Sequence, residues 1–124
     1  MNAYTLPISI TLSGKEYEIR SDFRAIIEIL IAISDPDMED WERQEVMFRI
    51  FYPGYKDIPP EDHAEACKAA VKFIDYNIPP GRPKPKTLDW EQDAPLIIPA
   101  VNKIAGKEVR ALPYLHWWTF MGYF

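Results

Sequence analysis

His63 and Cys67 are the residue pair whose types best fit metal chemistry, because imidazole and thiolate both bind zinc. Their spacing of four residues would place both side chains on one face of a helix. A zinc site needs three or four ligands, however, and the second histidine, His116, is remote in sequence. We therefore expect no metal site. We expect Cys67 to be a small buried hydrophobe, since no base that would activate the thiol is obvious nearby.

Carboxylates are abundant around residues 35–45. The six acidic residues are Asp35, Asp37, Glu39, Asp40, Glu42 and Glu45. They crowd the start of one predicted helix, where capping and solvation explain them better than a paired acid and base, which would need different environments. The sequence contains no nucleophile elbow, phosphate loop or glycine-rich dinucleotide turn. It thus predicts a protein that is not an enzyme and has no cofactor. Two weaker alternatives are a metal-dependent or nucleic-acid enzyme built on His63, Cys67 and the acidic helix, and an acidic mimic of nucleic acid.

Length and charge narrow the class of protein further. The 124 residues carry a net charge of −5, and their number is typical of a single domain over 1–124. Residues 1–81 hold eight basic and fifteen acidic side chains, so no basic stripe favours nucleic acid. The single cysteine fits a reducing compartment, and no run approaches the roughly 20 apolar residues of a membrane span. We expect a cytoplasmic protein without a membrane or nucleic-acid partner.

The first twenty residues alternate between apolar and polar side chains, which predicts a β-hairpin over about 6–20. Leu6, Ile8, Ile10 and Leu12 define its first apolar face, Tyr17 and Ile19 continue it, and Ser13-Gly14 supplies a two-residue turn. The apolar face is expected to lie on another element, because an isolated hairpin is only marginally stable.

The period changes to that of helices over 22–75. Phe23, Ile26, Ile27, Leu30 and Ile31 predict a helix over 23–33, capped by Ser21 or Asp22 and central to the core. A second helix is predicted over about 38–52, with Asp37 as a plausible cap, and a third over about 60–75. The inward residues of these two helices are predicted to be Trp41, Val46, Met47, Ile50 and Phe51, then Ala64, Cys67, Ala70, Val71 and Ile74.

Prolines divide the second half of the chain. Four prolines and three cations over 77–87 predict an extended connector, and a polyproline ligand is a less favoured interpretation. Helices are predicted over 88–124. The first runs to Ala105, with an inward stripe of Trp90, Ile97, Ile98, Val101 and Ile104; Pro95 and Pro99 require either a later start or a kink. The fold class is therefore mainly α, with about five helices and an N-terminal β-hairpin.

The last helical segment is apolar on nearly every side. Residues 113–124 hold six of the seventeen aromatic residues. Docking into the domain's own core accounts for at least half of them, and the remainder predicts either further chain beyond Phe124 or a partner that covers this surface. The partner-binding candidates are Tyr114, Trp117, Trp118, Phe120, Tyr123 and Phe124. Self-association through this surface is a further expectation.

Several stretches of the sequence resemble one family. They are Gly14-Lys15-Glu16-Tyr17 with Ser21-Asp22-Phe23-Arg24, Glu42-Arg43-Gln44-Glu45 through Phe51-Tyr52-Pro53, Asp89-Trp90-Glu91-Gln92-Asp93 with Ile98-Pro99-Ala100-Val101-Asn102, and Tyr114-Leu115-His116-Trp117-Trp118-Thr119-Phe120. In this order they resemble the phage gene-product-fifteen family, encoded in tail modules of long-tailed phages and prophages of Gram-positive bacteria. The resemblance spans nearly the whole chain apart from the proline-rich connector.

The resemblance implies a noncatalytic tail assembly chaperone in the host bacterial cytoplasm. Such a protein would bind the long helical tape-measure protein, with other tail assembly proteins, and hold it soluble until the tail tube polymerises around it. A structural tail component retained in the virion is the alternative. Members of the family look longer, with a basic segment after the His-Trp-Trp-Thr-Phe motif, so the resemblance also implies that a natural C-terminal segment is missing here.

Overall fold

The computed structural model describes residues 5–76 and 84–123. Two strands, β1 and β2, precede five helices, α1 to α5. Their bounds are β1 Ser9–Leu12, β2 Lys15–Glu18, α1 Phe23–Ala32, α2 Asp40–Phe51, α3 His63–Ile74, α4 Trp90–Ala105 and α5 Trp117–Tyr123. The described part of the chain is thus mainly α with an N-terminal hairpin, which confirms the predicted fold class. Among the described residues, no helix combines the length and the apolar character that crossing a membrane requires.

The hairpin turns where the sequence predicts. β1 and β2 pair antiparallel with Ser9 opposite Glu18 and Leu12 opposite Lys15. Ser13 and Gly14 both have positive φ, 49° and 80°, as a type I′ turn requires. Leu12 is buried in the core, whereas Leu6 and Ile8 are exposed. The expectation that the whole apolar face is covered is therefore wrong for these two residues, which precede β1.

α1 is the central helix, as the sequence predicts. Asp22 caps it by accepting a hydrogen bond from the backbone N–H of Arg24. Its buried residues are Phe23, Ile26, Ile27, Ile29 and Leu30. Because α2, α4 and α5 all pack against α1, both sides of this short helix contribute to the core.

α2 and α3 bury only part of the residue sets that the sequence predicts. The correctly predicted buried residues are Met47, Phe51, Ala70 and Ile74. Trp41 is 66% exposed, since all buried residues of α2 lie in its second half, where Phe48 is the large side chain missed by the prediction. In α3 the buried stripe includes Ala66 and Phe73, and Val71 is left exposed. Burying the aromatic ring of Phe73 removes more apolar area from water than burying Val71, which explains the rotation of the helix.

The start of α2 also differs from the prediction. The N-cap is Glu39 rather than Asp37, and Glu39 forms a reciprocal capping box with Glu42. The acidic residues here thus accept hydrogen bonds from backbone N–H groups, and their negative charge interacts favourably with the positive end of the helix dipole. This use matches the interpretation of the acidic cluster as a solvated helix start.

Part of the proline-rich connector is packed rather than extended. Residues 77–83 lie outside the described part of the chain, but Pro85–Thr87 form a 3₁₀ turn. Pro85 is fully buried, and its carbonyl accepts a 2.8 Å hydrogen bond from Nε1 of Trp90. The prediction of an extended connector is therefore wrong for this turn, because the indole of Trp90 binds the carbonyl of Pro85 and holds the turn against the core.

α4 continues through both of its prolines. It runs from the Asp89 N-cap to Gly106, whose φ of 73° ends the helix in the left-handed conformation. Pro95 and Pro99 are exposed, so the carbonyls that lose a helical donor can be hydrated. Trp90 and Val101 are buried as predicted, whereas Ile104 is exposed, contrary to the prediction.

Candidate partner-binding surfaces

The aromatic C-terminal segment is bound to the start of α1 by backbone hydrogen bonds. The N–H of Trp117 donates to the carbonyl of Ser21 at 2.7 Å, and the N–H of Phe23 donates to the carbonyl of Leu115 at 2.9 Å. Asp22 and His116 lie between these bonds as an antiparallel β-bridge. Residues separated by more than 90 positions in sequence therefore form one joint, which we call the 22–116 joint.

Two charged side chains reinforce the joint. Asp22 accepts from the N–H of Leu115 at 2.8 Å and pairs with Arg24 at 3.0 Å. The same guanidinium donates to the carbonyls of Val109 and Arg110, which lie in a 3₁₀ turn over Val109–Ala111, and to the carbonyl of Leu112, which ends it. Because a carboxylate and a guanidinium satisfy many backbone groups here, the joint is polar and directional.

The indoles of Trp117 and Trp118 bind the C-terminus of α3. Nε1 of Trp117 donates to the carbonyl of Ile74 at 3.0 Å, and Nε1 of Trp118 donates to the carbonyl of Phe73 at 2.9 Å. The last carbonyls of a helix lack donors within the helix. The adjacent tryptophans therefore cap α3 from another element.

Trp117 and Phe120 belong to the core of the domain. Both are fully buried. Phe120 stacks on Phe23 with centroids 4.7 Å apart, and Trp117 contacts Trp90 edge-on at 5.8 Å. The two residues were predicted to bind a partner, but they are buried because the apolar segment docks against α1, α3 and α4. The lack of a polar face in this segment is compatible both with burial in the domain's own core and with burial by a partner, so the sequence alone does not distinguish them.

The other predicted partner-binding residues are more accessible. Tyr114 is 48% exposed, and Trp118 and Tyr123 are half-buried. Trp118 stacks on the exposed ring of Tyr76 with centroids 3.8 Å apart. Phe124 lies outside the described residues. Of the six candidates, these three described residues remain available to a partner.

His116 is held in one tautomer within the 22–116 joint. Its Nδ1 accepts the N–H of Trp118 at 3.0 Å, so Nε2 carries the hydrogen that is donated to the carbonyl of Pro7 at 2.8 Å. Burial lowers the pKa of His116. The neutral ring thus links Pro7, which precedes β1, to the first turn of α5.

A groove lies between the hairpin and α1 and is bordered by Tyr114. It has a volume of about 630 Å³ and is lined by Ile8, Ile19, Ala25 and Tyr114 together with Glu18, Arg20, Ser21 and Asp22. Ile8 is 62% exposed on one side, and the hydroxyl of Tyr114 is hydrogen-bonded to Ser21 on the other. We call this the Ile8–Tyr114 groove. It offers apolar contact area with charged groups nearby.

A second apolar surface follows α4. Leu96 and Ile104 are 74% and 68% exposed, and they line a groove of about 430 Å³ with Ala100 and with Tyr123 of α5. The sequence does not reveal this surface, because the apolar side chain of Ile104 favours a place in the core. The spacing of Leu96, Ala100 and Ile104 at intervals of four residues is the signal that could have identified it.

The His63 and Cys67 pair has structural partners. Nε2 of His63 lies 3.0 Å from the carbonyl of Ile58, and its ring packs on Phe48 with centroids 4.5 Å apart. Cys67 is half-buried, and burial raises the pKa of its thiol. Over residues 5–76 and 84–123, no group of three or more His, Cys, Asp or Glu side chains is placed to hold a metal ion.

Comparison with known proteins identifies the family. The profile of the family described as Bacteriophage Gp15 protein matches residues 3–124. The chain belongs to this family. No curated protein and no solved structure matches the chain.

Two of the stretches that carry the Gp15 resemblance meet in one joint of the fold, and a third stabilises the end of α4. Residues 21–24 and 114–120 form the 22–116 joint. Asn102 accepts the N–H of Val109 at 2.8 Å and donates to Glu108, whose pKa is lowered to about 2, chiefly by its hydrogen bond with Arg110. In this member of the Gp15 family these motifs therefore stabilise the fold, and the accessible apolar surfaces lie beside them.

Proposed function

We propose that the chain is a noncatalytic tail assembly chaperone that binds the phage tape-measure protein and keeps it soluble in the host cytoplasm. The observation that carries this proposal is membership of the Bacteriophage Gp15 family over residues 3–124. The tape-measure protein is the partner implied by the resemblance to that family. The accessible apolar grooves support a binding role.

The Ile8–Tyr114 groove is the proposed contact for the partner. An amphipathic helix binds by placing its apolar residues in a groove of this kind, while its polar residues stay in water. Ile8 and Tyr114 would provide the apolar contact, and Glu18 and Arg20 would lie at its polar margin. A long helical partner offers many such segments, so one chaperone could bind repeatedly along it.

Acidity suits a chaperone of this kind. The net charge of −5 favours solubility and opposes precipitation of a complex that contains exposed apolar helices.

Co-expression with the tape-measure protein of the same tail module tests the proposal. The soluble fraction of the tape-measure protein is expected to rise when this gene product is present. Ile8→Glu is expected to reduce that rise by placing a charge in the groove, and Val71→Glu, an exposed position on α3, is the matched control. An unchanged soluble fraction with the wild-type chain would refute the function. Equal effects of the two variants would refute the groove.

Mass spectrometry of purified phage particles tests the alternative role. A chaperone is expected to be absent from mature particles, because it leaves as the tail tube forms. Stoichiometric recovery of the chain with the particles would instead identify a structural tail component.

A further inference from the structure

The exposed apolar residues of α4 form a pattern that is complementary to the same residues of a second, antiparallel copy. Leu96 and Ile104 lie four residues before and four residues after Ala100, and all three are exposed on one side of the helix. At 1.5 Å per residue, the two large side chains are about 12 Å apart along the helix axis. An antiparallel second copy centred on Ala100 would place each Leu96 opposite the Ile104 of the other chain.

The small side chain at the centre permits close approach. Helices pack at 8–10 Å between axes, with the shortest distances where small residues meet. Ala100 is the residue at the centre of the stripe, and a copy related by a two-fold axis would bring Ala100 against Ala100. Leu96 and Ile104 would then cover each other on both sides of the axis, as a self-complementary interface requires.

The charges along α4 favour the same antiparallel arrangement. Glu91 and Asp93 lie in the first turn, Lys103 lies in the last turn, and Lys107 follows the helix end. Among the ion pairs between described residues, none uses these four side chains. The acidic side chains therefore lie near one end of α4 and the basic side chains near the other, so an antiparallel copy brings ends of opposite charge together. The opposed helix dipoles add to this preference.

From this symmetry we infer that α4 is the contact of a two-fold dimer with a second copy of this chain. The inference does not depend on the proposed chaperone function, since it uses the pattern of α4 alone. A single helix pair with three apolar residues from each copy buries less area than stable dimers usually do, so the dimer is a weak one that forms and dissociates readily.

Analytical ultracentrifugation tests the dimer. The mass of the wild-type chain is expected to rise from 14.4 kDa toward twice that value with increasing concentration, over about 1 μM to about 1 mM, the range that covers weak interfaces. A mass of one chain at every concentration would overturn the inference.

Charge substitutions test the antiparallel register. Leu96→Glu and Ile104→Lys are each expected to weaken the dimer at least about tenfold, because each buries unpaired charges. The double variant places Glu opposite Lys on both sides of the axis and is expected to regain most of that loss. Both positions are exposed, so folding is preserved and is checked by circular dichroism. A dimer that persists in either single variant, or a double variant that is as weak as the singles, would overturn the proposed contact.

Cross-linking at the axis provides a second readout. In a chain carrying Cys67→Ala, Ala100→Cys is expected to form a disulfide-linked dimer on mild oxidation, since the two Cα atoms meet within bonding range. The matched control is Gln92→Cys in the same background, because position 92 lies at the far end of α4 from the axis. Equal cross-linking at the two positions would contradict a contact centred on Ala100.

Discussion

Replacing Trp117 or Trp118 with phenylalanine measures how the two indoles stabilise the end of α3. Each substitution removes one N–H that donates to a carbonyl, at 3.0 Å from Ile74 and 2.9 Å from Phe73 respectively. Each also keeps an aromatic ring at the same position. The pair is therefore a matched comparison of the same chemical change at a buried site and at a partly exposed one.

The buried site is expected to lose more stability. Trp117 is fully buried, and Nε1 of its indole donates to the backbone carbonyl of Ile74. Removing a donor from a buried carbonyl costs about 1–3 kcal/mol, and the space left by the smaller ring adds about 1 kcal/mol. Trp117→Phe should thus lower the free energy of unfolding by about 2–4 kcal/mol.

The half-buried site is expected to lose less. The carbonyl of Phe73 also faces the N–H of Tyr76 at 3.4 Å, so it keeps a partner when the indole of Trp118 is removed. Water can reach this partly exposed position and replace the lost donor. Trp118→Phe should cost about 0.5–1.5 kcal/mol, the usual net value of one hydrogen bond.

Urea unfolding followed by far-ultraviolet circular dichroism measures both losses without relying on tryptophan fluorescence. All variants are compared at one protein concentration, with slopes and midpoints fitted separately. A loss for Trp118→Phe as large as that for Trp117→Phe would refute the argument that burial and the second donor set the difference.

The other predictions concern the 22–116 joint, the helix ends and pH. Asp22→Asn should destabilise the chain by about 1–3 kcal/mol in urea unfolding and speed hydrogen exchange at the Leu115 amide; unchanged exchange there would contradict the role of the carboxylate. Gly106→Ala should cost about 1 kcal/mol, because φ is 73°, whereas Gly122→Ala in α5 should be stabilising, and thermal unfolding compares the two. Because the pKa of His116 is lowered by folding, the unfolded chain binds more protons, so stability should fall as pH drops below about 6.5. In His116→Gln that slope should be smaller, and an equal slope would exclude His116 as its source.

The sequence predicts the elements of this fold better than the direction that each helix faces. α1 is predicted correctly because its apolar residues cover a broad arc, so a small rotation changes little. In α2 and α3 the apolar residues are compatible with more than one orientation, and the rings of Phe48 and Phe73 decide which is adopted. Hydrophobic periodicity cannot choose between such orientations without the neighbouring elements.

The candidate surfaces were predicted less completely. The aromatic composition of 113–124 identifies a segment that must be covered, but composition does not reveal that Ser21 and Ile74 supply backbone carbonyls for Trp117. Those partners come from distant parts of the sequence. The sequence also does not reveal the exposed stripe of α4, because Ile104 has a residue type that is typical of the core but lies on the outer side of the helix.

The 22–116 joint also determines when the protein can fold during its synthesis. Phe23 is covered by Phe120, so this part of α1 lacks its cover until nearly a hundred further residues have been translated. Contacts of such long sequence separation form late and slowly. In the interval, the newly made N-terminal half presents its most apolar helix to other chains in the cell, and aggregation competes with folding. Faster synthesis of the chain through Phe120 should therefore raise the yield of folded protein.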